Sequence, residues 1–298
     1  MPHHLLLTKI AAITGGTTGI GRAIALEYLR QGCNVAINHL NLPRDTQHKD
    51  YLLSEAATIK KEDPEAGNLI EVEGDVSKPE TGKELVERAV KEWGRLDIFV
   101  SNAGVCEFAE FLRCVLSLGF LFFSFLFTCE AWKSGELARL TRGSSLDHDL
   151  FASTVRINLD GAFYSCQAAA RQMASQNHGG SIIAISSISA LVGGGLQTHY
   201  TPTKAGVLSL MQSMAVALGK YRIRCNALLP GTIKTQLNEE DLNNEEKRKY
   251  METRIPLGRT GEPKDMAGPA VFLACEELSG YVNGAQLLVD GGLFVNLQ

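Results

Sequence analysis

The chain has 298 residues, 45% of them hydrophobic and 21% charged, with a formal net charge of -4 and a pI near 6.0. These are the proportions of an ordinary soluble globule long enough to bury a large core, and they offer no electrostatic basis for binding nucleic acid or an anionic membrane. Seven scattered cysteines, none in a C-x-x-C pair, argue against a disulfide framework or a zinc site and fit reduced thiols in a cytoplasm.

Leu5-Leu6-Leu7 is too soon interrupted by Lys9 for a signal peptide, and the apolar run through residues 9–14 reads as a first strand. Thr14-Gly15-Gly16-Thr17-Thr18-Gly19-Ile20-Gly21 follows, then a helical pattern over residues 22–30. Strand, glycine turn and helix make half of a dinucleotide-binding unit, in which glycines let the backbone approach a pyrophosphate at a helix N-terminus. A tight turn without a ligand is the plainer alternative.

The second strand, residues 34–38, runs into Asn38-His39-Leu40 where an acid would hold an adenosine ribose. Asn38 can bond a ribose hydroxyl without repelling a 2'-phosphate, and His39 or Arg44 can meet that phosphate, so the chain is expected to tolerate both NAD and NADP. A helix over 51–61, a strand over 69–73 ending at Gly74-Asp75-Val76, an amphipathic helix over 81–93 and a strand over 98–100 ending in Ser101-Asn102-Ala103-Gly104 continue the alternation. Such alternation implies a parallel sheet covered on both faces, with ligands at the strand C-terminal ends. Asp75 is placed to face an adenine, and Asn102 to cap its strand or touch a ligand.

Residues 114–129 then carry no charge in sixteen positions, fewer than the roughly 18–20 that span a bilayer. A buried helix, a membrane-dipping segment or a non-native insertion remain open for this run. Beyond it come a long helix over 150–176 containing Asn158, a strand over 181–186, a helix from Tyr200 to Leu218, a strand over 224–229 ending Pro230-Gly231, a charged stretch over 238–254, a helix over 263–275 and a last strand over 286–289. The charged stretch suggests a lid over the cleft, or else a solvated surface helix. Neither repeats nor linkers divide the chain, which reads as one domain.

Residues 181–205 carry the chemistry. Tyr200 and Lys204 lie one helical turn apart on one face, and Pro202 is tolerated in a first turn. An ammonium about 4 Å from a phenol supplies on the order of 4 kcal/mol toward its anion, enough to lower its pKa by about 2–3 units. A Tyr-x-x-x-Lys spacing alone is a weak signal; Ser187 at the preceding strand end and the glycine turn strengthen it. Gln197, His199 and the Gly193 loop are close enough in sequence to shape a substrate pocket.

Together these residues resemble the short-chain dehydrogenase/reductase family: T-G-x-x-x-G-x-G at 14–21, Asn-Ala-Gly at 102–104, Asn158, Ser187, Tyr-x-x-x-Lys at 200–204 and Pro-Gly at 230–231, in order over nearly the whole chain. Stretches 35–40, 185–204 and 281–298 look like its sugar dehydrogenases. The resemblance implies an α/β fold, a single doubly wound Rossmann domain with a seven-stranded parallel sheet and helices on both faces. It implies a catalytic set of Asn158, Ser187, Tyr200 and Lys204, with Ser187 and Tyr200 also touching substrate. Gly15, Thr17, Gly19, Ile20 and Gly21 would take the pyrophosphate, Asn38 and His39 the ribose, and Asp75 and Val76 the adenine. Asn102, Gly104 and Tyr200 would also touch NAD or NADP, with Lys204 holding the nicotinamide ribose and Ile233 and Thr235 its carboxamide. A small sugar oxidised at C1 is the implied substrate, with no metal, in a homotetramer or homodimer. Reduction of 3-oxoacyl thioesters, or an inactive cofactor-binding scaffold, are the other readings. Residues 113–143 depart from the family: joining Leu112 to Ser144 restores its usual spacing, as removal of a translated intron would.

Overall fold

The computed structural model describes residues 4–112 and 146–296; the atypical run at 113–143 lies outside the described residues. Seven strands form one parallel sheet in the order β3-β2-β1-β4-β5-β6-β7. They are β1 Ile10–Ile13, β2 Asn34–His39, β3 Leu69–Glu73, β4 Ile98–Ser101, β5 Gly180–Ile185, β6 Ile223–Pro230 and β7 Gln286–Val289. The central strands are near-continuous apolar runs, as a sheet covered on both faces demands, and β1 and β4 are buried at every position.

Alternate residues of each strand face opposite layers. Ile13 and Ile37, paired in register, join Tyr28 and Leu29 of α1 (Gly19–Arg30), Leu52 of α2 (Thr46–Glu62) and Val271 of a later helix in one apolar layer. Ala12 and Phe99 face the other, with Leu85 of α3 (Pro79–Trp93) and, from helices described below, Met173 and Met211. Gly82 lies where α3 touches its neighbour so closely that a Cβ would stand 2.6 Å from the Ser165 Cα.

The long helix expected around Asn158 is three pieces. α4 (His148–Val155), capped by Asp147, whose carboxylate accepts from Leu150 N at 2.7 Å, leads into a π-helical turn at Arg156–Asp160 and then α5 (Gly161–Gln176). A π turn shifts the hydrogen-bond ladder by one residue and commonly marks a functional position. Here it buries Asn158 against the end of β4, where Val105 N donates to its Oδ1 at 2.8 Å and its Nδ2 donates to Val105 O at 2.9 Å.

α6 (Tyr200–Leu218) matches its expected span. The charged stretch is two helices, α7 (Glu239–Asn243) and α8 (Glu245–Arg254), because Asn244 takes an extended conformation and caps α8 by accepting from Lys247 N at 3.0 Å. α9 (Ala267–Ala274), entered through a 3-10 turn at Pro263–Met266, and α10 (Glu276–Ser279) complete the chain's helices among the described residues.

β1 is the switch point of this order: the chain winds outward to β2 and β3 on one side and to β4 on the other, leaving a crevice above the carboxyl ends of β1 and β4. The α3–α5 contact that closes one face tolerates no side chain at Gly82. Gly82→Val should therefore destabilise by about 2–3 kcal/mol and lower Tm by roughly 4–10 °C, read by thermal unfolding; an unchanged Tm would mean that the helices do not pack as described.

Candidate active site

The glycine turn is held from β4. Asn102 Nδ2 donates to Thr14 O at 3.0 Å and Gly15 O at 2.9 Å, and the Asn102 and Ala103 amides donate to Thr14 Oγ1 at 2.9 and 3.1 Å. Gly15 sits at φ 64°, and a Cβ on Gly21 would stand 2.3 Å from Gly15 O, so both positions need glycine. Asn102 thus acts as the strand-end cap.

From this turn a cavity of about 660 Å³ runs along the strand ends. Gly15, Thr17, Gly19 and Ile20 line its middle; Asn38, His39, Asp75 and Val76 line one end; Asn102, Gly104, Ile233 and Thr235, with Ser187, Tyr200 and Lys204, line the other. Gly21 lies beneath the turn and outside the lining. Asn38 donates its amide to Gly74 O at 2.8 Å, which ties β2 to the end of β3 and leaves its carbonyl oxygen as the group for a ligand. His39 is buried, and its Nε2 has no hydrogen-bond partner. The Arg44 side chain lies outside the described residues.

Ser187 follows β5, Tyr200 opens α6, and Lys204 stands one turn along, all buried or nearly so. Ser187 Oγ accepts from Ser189 N at 3.0 Å, and its hydroxyl stands beside the Tyr200 phenol. Lys204 Nζ donates to Ile185 O at 3.0 Å and lies 5.6 Å from the Tyr200 ring centre. Adjacent residues fix this geometry without entering the cavity's chemistry: Ser186 Oγ donates to Lys204 O at 2.8 Å, and Thr203 Oγ1 donates to Tyr200 O at 2.7 Å while accepting from Asn158 Nδ2 at 3.2 Å. Gly104 is the close neighbour of both Asn158 and Lys204, whose Oδ1 and Nζ lie 3.1 and 3.4 Å from where its Cβ would be.

The expected effect of Lys204 on the phenol is corrected by the structure. Burial pushes the Tyr200 pKa up, the Cys106 thiol adds to that, and only the Ser187 hydroxyl acts downward. Burial also lowers Lys204, from its ordinary 10.5 to about 8. The ammonium points at a strand carbonyl and not at the phenol oxygen, so desolvation outweighs attraction.

A second cavity, about 410 Å³, meets the first at Ser187, Tyr200, Gly231, Leu237 and Asn238. Cys106 and Gln197 line it, with Gln197 Nε2 donating to Cys106 Sγ at 3.4 Å, and α8 covers it through Tyr250, Met251 and Arg254. Gly193 and Gln197 therefore shape a pocket as expected. His199 does not: it is fully buried, with neither ring nitrogen hydrogen-bonded. Thr203 and Cys106 were not singled out by sequence, although Thr203 stands inside the Tyr-x-x-x-Lys motif and Cys106 two residues after Gly104. Among the described residues no helix is long and apolar enough to cross a membrane, and no three His, Cys, Asp or Glu side chains gather as a metal site.

Two family descriptions match the chain, short chain dehydrogenase over residues 9–116 and Enoyl-(Acyl carrier protein) reductase over residues 134–294. An L-rhamnose-1-dehydrogenase of Scheffersomyces stipitis is 56% identical, and an L-rhamnose 1-dehydrogenase (NAD(P)(+)) of a Sphingomonas species 48%, each over 99% of both chains. Among solved structures, a gluconate 5-dehydrogenase from Burkholderia cenocepacia in complex with NADP and tartrate is 27% identical over 98% of both chains, with a TM-score of 0.77. The long cavity fits a nicotinamide dinucleotide on its own evidence: its volume suits one, its glycine cradle admits no Cβ, and His39 Nε2 is a buried donor lacking an acceptor.

Burying Lys204 carries a measurable cost. Its folded pKa lies below its unfolded one, so between about pH 8 and 10.5 the unfolded state binds more protons and stability rises with pH. Lys204→Met should stabilise the protein at pH 7 by about 1–3 kcal/mol, after the loss of the bond to Ile185 O, and that advantage should fade toward pH 10. Paired melting curves at both pH values test this; a variant less stable at pH 7, or an advantage independent of pH, contradicts it.

Proposed function

The chain belongs to the short-chain dehydrogenase family, and we propose that it oxidises C1 of an aldose, L-rhamnose above others, with NAD or NADP, giving L-rhamnono-1,4-lactone. The observation that carries this is the meeting of two cavities at Ser187 and Tyr200, one long enough for a dinucleotide and one sized for a sugar. Full-length similarity to L-rhamnose dehydrogenases supports the choice of sugar.

When bound, the cofactor takes the hydride from C1. The residues manage the proton. Ser187 holds the oxygen of the anomeric hydroxyl, and Tyr200 accepts its proton as the C1–O bond becomes a carbonyl. The base is the phenolate, formed when Tyr200 has lost its own proton to solvent. The Lys204 ammonium, one turn along the helix, favours that anion, and uptake of the sugar's proton returns it to the neutral phenol. The Asn158 amide is fully engaged with Val105 and Thr203, so its part is to fix the cluster and not to carry the proton itself. Gln197 and the roof formed by α8 close the sugar pocket against water.

Appearance of NADH or NADPH with L-rhamnose, D-glucose and a 3-oxoacyl thioester (the last in the reductive direction) tests the assignment. L-rhamnose is expected to turn over fastest, and Tyr200→Phe to lose about 10²–10⁴-fold in kcat. Rhamnose turnover surviving in that variant contradicts the mechanism; a thioester outpacing every sugar would favour the 3-oxoacyl reductase reading, toward which a 31% identical 3-oxoacyl-[acyl-carrier-protein] reductase of Thermotoga maritima points. Cofactor binding without any turnover would mark a scaffold.

Residues 113–143 are proposed to be dispensable, as a translated intron would be. The described flanks meet without them, since Leu146 N donates to Glu110 O at 2.9 Å, and the two family matches stop at 116 and resume at 134. A chain with Leu112 joined to Ser144 should fold and turn over rhamnose at least as fast as the full chain; loss of folding or activity would show the segment to be needed. A cytoplasmic homotetramer or homodimer fits the half-exposed Phe163 and the strongly exposed Val216 on α5 and α6 and the unpaired cysteines among the described residues.

A further inference from the structure

The end of β2 lacks the acid that would select NAD by bonding its ribose, yet an acid stands close by on the neighbouring strand. Glu71 of β3 projects on the same face of the sheet as His39, since residues two apart on a strand share a face and Glu71 pairs with Ile37. Its carboxylate lies between two donor groups: His39 Nε2 at 3.5 Å and Lys49 Nζ, from α2, at 3.7 Å.

The histidine is oriented. Its Nδ1 accepts from Asn41 N at 3.0 Å, which leaves Nε2 as the nitrogen bearing hydrogen. That N–H is buried with a side chain only 6% exposed, lines the dinucleotide cavity and makes no hydrogen bond, being near Glu71 but not bonded to it. Lys49 is restrained in the same way: besides Glu71 it reaches Asn41 Oδ1 at 3.4 Å, and Asn41 in turn donates to Glu73 at 3.0 Å. Asp45 and His48 line the cavity beside this group.

We propose that Glu71 sets the balance between NADP and NAD by neutralising Lys49 and facing the His39 N–H at the cavity end that would take the adenosine ribose. The assignment rests on the dinucleotide reading of the cavity. The two cofactors differ there by a phosphate monoester carrying about -1.5 to -2 charge at pH 7. Glu71 repels that group and competes with it for Lys49 and the His39 N–H, while an uncharged 2'-hydroxyl feels far less of both effects. An acid placed one strand away thus weakens NADP binding without excluding it, and Lys49 keeps the penalty small.

The test is titration of the full chain with NADPH and NADH, followed by nucleotide fluorescence, for the parent, Glu71→Gln, Lys49→Met and the double variant. Glu71→Gln should tighten NADPH roughly threefold to tenfold while NADH stays within about twofold, and Lys49→Met should weaken NADPH by a similar factor. The double variant should return close to the parent, and the NADPH differences should shrink as salt is raised. Equal shifts for both cofactors, or no shift for either, would overturn the role of Glu71. A parent chain that binds neither cofactor would instead overturn the reading of the cavity itself.

Discussion

The constraint on which the rest depends is the burial of a phenol and an ammonium side by side at the end of β5. Each group resists that environment alone: burial raises Tyr200 and lowers Lys204, so both favour their neutral forms before ligands arrive. The fold holds them there through bonds to backbone, with Ile185 O taking the ammonium and Ser186 and Thr203 fixing the first turn of α6. The fold thus keeps an ammonium where only a neighbouring negative charge would offset its lost hydration, the usual balance between stability and function at such a site.

The parallel sheet is what makes this arrangement affordable. Its strands are short apolar runs whose backbone groups pair with one another, and its crossovers deliver glycine turn, Asn102, Ser187 and Pro230 to one edge. Two asparagines show how little is left to chance at that edge. Asn102 ties β4 to the glycine turn, and Asn158 ties the π turn to the segment after β4, so each joins two crossovers through a single amide.

Much of this was legible in residue order. Period and punctuation located all seven strands, because buried parallel strands are compact apolar runs bounded by glycine and charge. The glycine turn, Ser187, Tyr200 and Lys204 were legible because their spacing is local. What escaped depended on three dimensions. Nothing in residues 150–176 signals a π turn, which accompanies a long-range amide exchange between Asn158 and Val105. The break at Asn244, which caps α8, escaped because the charges around it run on without interruption. The direction of the Tyr200 shift was misjudged because sequence gives the separation of two groups along a helix and not where the ammonium points. Cys106 and Gln197 meet only because the loop after β4 passes the one before α6.

Ser186 and Ser187 are consecutive, yet one bonds the backbone of α6 and the other faces the phenol, as the alternation of a strand requires. Chemistry at this edge is thus a matter of parity. Were β5 to slide by a single position against β6, the two hydroxyls would exchange faces, and a protein with nearly the same core would turn Ser187 away from the phenol. The pairing of Ile185 with Leu228, both buried, is what forbids that slip. Hydrophobic fit two residues away, and not any polar contact, decides which serine faces the phenol.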